Sequence, residues 1–387
     1  MSRTYSVISC DGHLEIPPDG WLRHVPPEHR DRAPRLIHLA GGGEAWVVEG
    51  MPLIHNGQNV SAGRPLRVLG QSYWNEDGTP AAGTGDAAQR LREQDFDGID
   101  AEVLYPPVFI SRYIENISDK DAYLAMVRAY NTFLAEDYCS VAPDRLIGCA
   151  VLPVTGTEDA IAELRRVKSL GLRAICMSRF PAGDTSPSTD DDVFWHAALE
   201  SGLAITAHAT IGDRNNPLLV ASATGRFDMV TALVSRTMPA PVAVIANMVV
   251  SGTFTRIPEL CIYLAETNAS WIPGALFMMD DSYQLFREWY GVELDMKPSE
   301  LAYRHFRFGI VRDPLALKMR DVLPAQDLMW GSDFPHSVTS YPRTREWLDI
   351  IFDGVPSELR QRILHDNPVE FFGLDPAAPL TETPAPA

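Results

Sequence analysis

Leu146-Ile-Gly-Cys-Ala-Val-Leu152, Thr157-Glu-Asp-Ala-Ile-Ala-Glu-Leu-Arg-Arg-Val-Lys-Ser-Leu170, Gly171, Leu172-Arg-Ala-Ile-Cys-Met177, Val193-Phe-Trp-His-Ala-Ala-Leu-Glu200, Gly202 and Leu203-Ala-Ile-Thr-Ala-His-Ala209 follow one another along the chain. Short, nearly unbroken apolar runs alternate here with stretches of helical period. A strand buried on both faces reads as a continuous apolar run, whereas a helix shows an apolar stripe. Thr157-Glu-Asp carries an N-terminal capping signal, and Gly171 and Gly202 stand where helices end, just before the next strand. Parallel strands joined by helical crossovers are the reading this pattern supports.

The same rhythm extends outward. Further strand-like runs are Tyr5 to Cys10, Ala101 to Pro106, Cys261 to Glu266, Phe306 to Val311 and Leu328 to Ser332, and Ala122 to Tyr138 has a helical period. Eight strands in all predict a closed (β/α)8 TIM-like barrel, with an open doubly wound sheet as the alternative. Residues 1–374 are expected to form a single barrel domain.

One interval breaks the alternation. Residues 14–86 are rich in proline and glycine and contain a hairpin-like stretch, Glu44 to Ile54. An insertion this long after the first strand leaves the barrel at its C-terminal face, so it is read as a lid, with a subunit-contact arm as the alternative. Tyr283 to Lys297 is expected to cover the same face. Residues 375–387, mostly Pro and Ala, predict a disordered tail.

The 387 residues include 33 Lys and Arg against 51 Asp and Glu, a formal charge of −18. That balance argues against a nucleic-acid backbone as partner. Apolar residues make up 45% of the chain, enough for a large core. The five cysteines form no C-x-x-C pair and four lie in apolar stretches, as buried reduced thiols would. The opening residues lack the apolar segment of a signal peptide, and the longest apolar stretch, Pro239 to Val250, is too short to span a bilayer. A cytoplasmic location is expected, with no membrane partner.

The chemistry-bearing residues fall at strand ends. With a side-chain period of two, Asp11, His13 and Glu15 project to one side in steps of about 6.6 Å. His208 closes an apolar fifth strand, and Asp333 follows the last strand in Trp330-Gly-Ser-Asp333. A buried aspartate is rare unless paired or metal-bound. Two imidazoles with two carboxylates suit one divalent ion, Zn, Mn or Fe, without choosing among them.

Asp11-Gly-His-Leu-Glu-Ile-Pro-Pro-Asp-Gly-Trp21, Phe254-Thr-Arg-Ile-Pro-Glu-Leu260 through Glu266 to Trp271-Ile-Pro273, Trp330-Gly-Ser-Asp-Phe-Pro-His336 and Asn367-Pro-Val-Glu-Phe-Phe-Gly373 resemble the amidohydrolase-related family. This is the branch of the amidohydrolase superfamily that includes aminocarboxymuconate-semialdehyde, γ-resorcylate and isoorotate decarboxylases. The resemblance runs over nearly the whole chain. It implies a distorted (β/α)8 barrel with one divalent ion held by Asp11, His13, His208 and Asp333.

Two positions depart from the family. Glu15 stands where H-x-H members have their second histidine, so Glu15 is an alternative ligand to Asp11. The sixth strand ends in Glu266, where many decarboxylases of the family have an acid-base histidine; a structural pairing of Glu266 with a basic residue such as Arg256 is the alternative. His336 is a candidate acid-base group, and Arg179 and Trp271 are candidate substrate contacts. His305, early in its strand, is read as structural.

Glu266 points toward a metal-dependent hydrolase, in which a metal-activated water attacks a C–N, ester or thioester carbonyl of a bulky organic metabolite. Asp333 would then serve as base and Glu266 or His336 as acid. The first alternative is a metal-dependent nonoxidative decarboxylase of an aromatic or enoic acid. The second is a non-catalytic binding protein on the same scaffold. The resemblance also implies a homodimer or higher homo-oligomer.

Overall fold

The fold is given by a computed structural model that describes residues 3–51, 54–55, 57–65, 71–107, 110, 113–183, 186–209, 211–212 and 239–384. Eight parallel strands form one sheet in sequence order: β1 (Ile8–His13), β5 (Ala101–Tyr105), β6 (Leu146–Val151), β7 (Ala174–Met177), β8 (Ala204–His208), β9 (Ile262–Ala265), β10 (Phe306–Ile310) and β11 (Leu328–Trp330). The last strand returns to the first. Asp333 donates its N–H to Asp11 O at 2.8 Å, His13 donates to Phe334 O at 2.7 Å, and Gly12 bridges Phe334 in parallel. The (β/α)8 barrel is therefore observed, and the open-sheet alternative is set aside.

Local chemistry explains the elements. The runs Leu146–Val151 and Ala174–Met177 are buried at every position, as strands covered on both faces must be. Asp86 caps the helix Ala87–Asp97 by accepting Gln89 N–H, and Gly98 ends it at φ 80°. Gly202 ends the helix Asp192–Ser201 in the same left-handed conformation, at φ 67°, which a residue with a Cβ adopts at a cost. At Thr157 the expectation shifts by one residue: Gly156 occupies the cap and Thr157 begins the helix.

Two apolar layers result. One lies between strands and helices and includes Leu104, Val151, Ile205 and Ile262. The other fills the barrel interior with Cys10, Val103, Cys149, Cys176, Tyr263 and Met329, and continues to Tyr5, Phe372, Leu374 and Leu380. Cys261 is partly exposed; the other four cysteines are buried, and all five are free thiols.

Leu380 corrects the expectation of a disordered tail. It is buried and its N–H donates to Arg3 O at 3.0 Å, while Thr381 donates through N and Oγ1 to the Asp144 carboxylate at 2.6 Å each. Thr383 Oγ1 accepts from Arg145 Nη1 at 3.0 Å, so the tail packs against the barrel through one apolar side chain and two threonines, despite the Pro and Ala around them. Residues 385–387 lie outside those described.

The long insertion forms a three-stranded antiparallel sheet of β2 (Arg35–His38), β3 (Glu44–Val47) and β4 (Ile54–His55). The hairpin read at Glu44 to Ile54 is present, with Ala45 opposite His55 and Trp46 opposite Ile54. Trp46 Nε1 donates to the Tyr73 hydroxyl at 2.8 Å, and both rings are buried. Ser61 and Ala62 donate backbone N–H groups to Pro335 O at 3.1 and 3.0 Å, so the insertion is anchored on the loop that follows β11. Residues 52–53, 56 and 66–70 of the insertion lie outside those described.

The second insertion differs from expectation. Tyr283 to Tyr290 belongs to a 19-residue helix, Ile272–Tyr290, about 28 Å long. Trp289 is 84% exposed and covers no site among the described residues. No helix among them is long and apolar enough to cross a membrane.

Candidate metal centre

Asp11 and His13, two apart on β1, lean to the same side; His208 ends β8, and Glu266 and Asp333 immediately follow β9 and the short β11 turn. Their donor atoms all lie within 4.8 Å of one another. His13 Nε2 stands 3.5 Å from Asp11 Oδ1 and 3.2 Å from Asp333 Oδ1. His208 Nε2 is 3.4 Å from Asp11 Oδ1 and 3.3 Å from Glu266 Oε2. Asp11, His13 and Asp333 are fully buried.

The donor set fits a cation. Both oxygens of Asp11, both oxygens of Asp333, both ring nitrogens of His13 and Nε2 of His208 are buried without a hydrogen-bond partner. Leaving so many polar atoms unsatisfied is costly unless an ion fills the space between them. Two carboxylates with two imidazoles suit Mn²⁺, Fe²⁺ or Zn²⁺. The protein provides a site for a single divalent metal.

Glu15 takes a different position. His336 Nε2 donates to Glu15 Oε1 at 3.0 Å, and His336 Nδ1 lies 3.3 Å from Asp333 Oδ1. The His336 ring stacks on His13 with centroids 3.7 Å apart. Asp11 is thus grouped with His13, His208, Glu266 and Asp333, while Glu15 forms a neighbouring set that shares His13 and adds His336.

Electrostatics follow from this crowding. Burial pushes the Asp11 carboxyl up, but His13 and His208 outweigh it and hold it below the usual range. Burial likewise pushes the Asp333 carboxyl up, but the charge of His336 and the contact to His13 outweigh it and hold that carboxyl low. His336 is raised well above an ordinary imidazole: burial works against the shift, and Asp333 and Glu15 prevail. His13 is raised by Asp11 and Asp333 against burial and the repulsion of His336, whereas His208 is lowered, chiefly by burial.

The backbone marks the same place. Every non-glycine residue with positive φ among those described, Ala209, Glu266, Asn268 and Asp333, follows β8, β9 or β11, at φ values from 52° to 59°. Such conformations cost about 1–3 kcal/mol each and persist where their surroundings fix them. Asn268 Oδ1 accepts Val311 N–H at 3.1 Å, and the Asp313 carboxylate accepts Ala269 and Ser270 N–H at 2.7 and 2.8 Å.

Other candidates resolve individually. Arg256 pairs with Asp192, and Glu266 faces His208. Arg179 Nε donates to Glu115 Oε2 at 2.8 Å, so its cation already meets a carboxylate. Trp271 Nε1 donates to Thr267 O at 2.9 Å and closes the turn before the helix Ile272–Tyr290. His305 Nδ1 meets Leu260 O at 2.7 Å and its ring stacks on Phe254, a structural role. Arg90 and Glu102 are not singled out by the sequence reading; a carboxylate within the otherwise apolar run of β5 was the available signal.

A family model described as amidohydrolase matches residues 107–374, more than half of the chain. The chain belongs to the amidohydrolase family. It is 23% identical over 386 residues to 2-amino-3-carboxymuconate-6-semialdehyde decarboxylase of Dictyostelium discoideum, covering 95% of this chain and 92% of that protein. Among solved structures, an amidohydrolase from Mycobacterium avium subsp. paratuberculosis K-10 superposes with a TM-score of 0.75 at 19% identity, covering 96% of this chain and 100% of the other. A dihydroxybenzoic acid decarboxylase from Polaromonas sp. JS666, solved with bound manganese and the inhibitor 2-nitroresorcinol, gives 0.63 at 17% identity over 96% of this chain and 97% of its own. The branch read from the sequence is the one these amidohydrolases represent.

Proposed function

We propose that this amidohydrolase is a metal-dependent nonoxidative decarboxylase acting on an aromatic or enoic acid. The observation that carries the reading is the decarboxylase relative aligned over 95% of the chain. This reverses the order drawn from Glu266 alone, which put hydrolysis first.

Asp11, His13, His208 and Asp333 would hold the ion, which when bound supplies a Lewis acid for the substrate carboxylate and an adjacent oxygen. Glu266, at the edge of the cluster and partly open to solvent, is placed to deliver a proton to the carbon that loses CO2. The C–C bond to the carboxylate breaks, its electron pair stays on that carbon, and the proton from Glu266 replaces the departing group. His336, which Asp333 and Glu15 raise well above an ordinary imidazole, would offer a charge complementary to an anionic substrate. The insertion anchored on Pro335 would exclude water from this mouth as a lid.

Hydrolysis remains the second reading, favoured by a glutamate at the end of the sixth strand. The deciding experiment uses metal-loaded protein with 2,6-dihydroxybenzoate, which a structural relative is named for and was crystallised with, other hydroxylated aromatic acids, and their ester and amide derivatives, in parallel in D2O and in ¹⁸O-labelled water. Decarboxylation predicts CO2 release with one solvent hydrogen on the product carbon, and a loss of about 10²- to 10⁴-fold in Glu266→Gln with metal retained. His208→Ala and Asp333→Ala should each lose the metal by elemental analysis. Label incorporated into a cleaved carbonyl product, without CO2, would instead establish a hydrolase.

A further inference from the structure

Behind the metal centre lies an ion pair that touches none of the donor atoms yet meets the segments that carry them. Arg90, on the helix Ala87–Asp97, and Glu102, on β5, are both buried, with Arg90 Nε donating to Glu102 Oε2 at 2.7 Å. Gln94 Nε2 donates to the same oxygen at 3.2 Å. The other oxygen, Oε1, accepts the Ser332 hydroxyl at 3.2 Å.

Three neighbours of the donors converge on this pair. A Cβ on Gly12, between Asp11 and His13, would lie 2.5 Å from Glu102 Oε1, so the carboxylate fills the space that glycine leaves. Ser332 precedes Asp333 and is itself tied to β1, its N–H donating to Ser9 Oγ at 2.9 Å. Arg90 Nη2 donates to Phe334 O at 3.3 Å, the same oxygen that accepts His13 N–H, and the guanidinium lies 4.4 Å from the centre of the Phe334 ring.

We propose that Arg90 and Glu102 are positioning residues that set the separation between the first-strand donors and Asp333, and thereby the affinity of the site for its metal; this rests on the metal-site reading above. Desolvation makes a buried ion pair a poor source of net stability, since a well-packed apolar pair of similar volume often serves as well or better. A fixed fork and a fixed carboxylate do offer what an apolar pair does not, namely hydrogen bonds of defined direction to Ser332 and Phe334. Partners that orient metal ligands in this way are worth about 10- to 100-fold in affinity.

The test is metal binding by the chelator-stripped full-length chain, measured with Mn²⁺ by calorimetry and with Co²⁺ by its absorption spectrum, alongside the melting temperature of the metal-free form. Glu102→Gln should weaken Mn²⁺ binding about 10- to 100-fold and shift the Co²⁺ bands, because the donors no longer hold their spacing. Ser332→Ala cuts the link to the Asp333 turn without stranding a buried charge, and should weaken binding in the same direction by a smaller factor. If Glu102→Gln fails to fold, the double variant Arg90→Gln/Glu102→Gln, which buries no unpaired charge, replaces it. Variants with a lower melting temperature but wild-type Mn²⁺ affinity and Co²⁺ spectrum would reduce the pair to packing and overturn the proposal. A wild-type chain that binds neither ion would overturn the metal-site reading itself, and this inference with it.

Discussion

His336 stands between Asp333 and Glu15 with its ring against His13, and its protonation governs how the metal-free chain responds to pH. A histidine whose pKa is raised on folding stabilises the fold fully below the usual imidazole value of about 6.5 and loses that contribution as pH rises through the folded value. His13 and His336 both belong to this class. Asp11 and Asp333, held low, contribute above the usual carboxyl value of about 3.9 and lose it only on stronger acidification. His208, lowered by burial, acts in the opposite sense to the other two histidines. Melting curves of metal-free protein should therefore fall in midpoint as pH rises past about 6.5, and added Mn²⁺ should reverse the fall. A midpoint that climbs steadily from pH 6 to 9 without metal would contradict this account. Asp11, His13, His208 and Asp333 were readable from sequence because ionisable groups are conspicuous at the ends of apolar strands. The turning of Glu15 toward His336 was not, since it depends on a contact across 321 positions.

The turns after the strands are where small changes have large effects. A Cβ on Gly331 would meet Asp11 Cβ at 2.2 Å and Asp11 N at 2.8 Å, atoms of a backbone that cannot swing aside. Gly331→Ala should destabilise the chain by about 1–3 kcal/mol in urea unfolding and weaken metal binding, because the displaced segment carries a donor. Gly274, in the helix Ile272–Tyr290, has no neighbour within 4 Å of its would-be Cβ, so Gly274→Ala should be neutral or stabilising by up to about 1 kcal/mol. Equal effects of the two substitutions would show that glycine content, not close approach, matters here. Helix ends such as Gly98 and Gly202 announce themselves by residue type. The left-handed turns at Glu266 and Asp333 do not, because neither residue is a glycine.

Across the whole molecule, the order of strands followed from the alternation of buried runs and helical stretches, and the structure bears it out from β5 to β11. The two ends of the barrel were less legible. Composition called residues 375–387 disordered, yet Leu380 joins the interior cluster beside Tyr5 and Phe372, and Thr381 and Thr383 reach Asp144 and Arg145. A chain cut before Leu380 should lose about 1.5–3 kcal/mol of stability, the worth of one buried leucine, with its metal stoichiometry unchanged. A truncated chain as stable as the full one would mean that these contacts add nothing measurable.

The bonds that close β11 onto β1 also fix an order of events during synthesis. Residues 11–15 leave the ribosome early and residues 331–336 late, so the earliest donors must wait for most of the polypeptide before Asp333 can meet them. Contacts separated this far in sequence form slowly, since loop closure precedes their reward. The full donor set therefore exists only once the eighth strand has been made and closed onto the first.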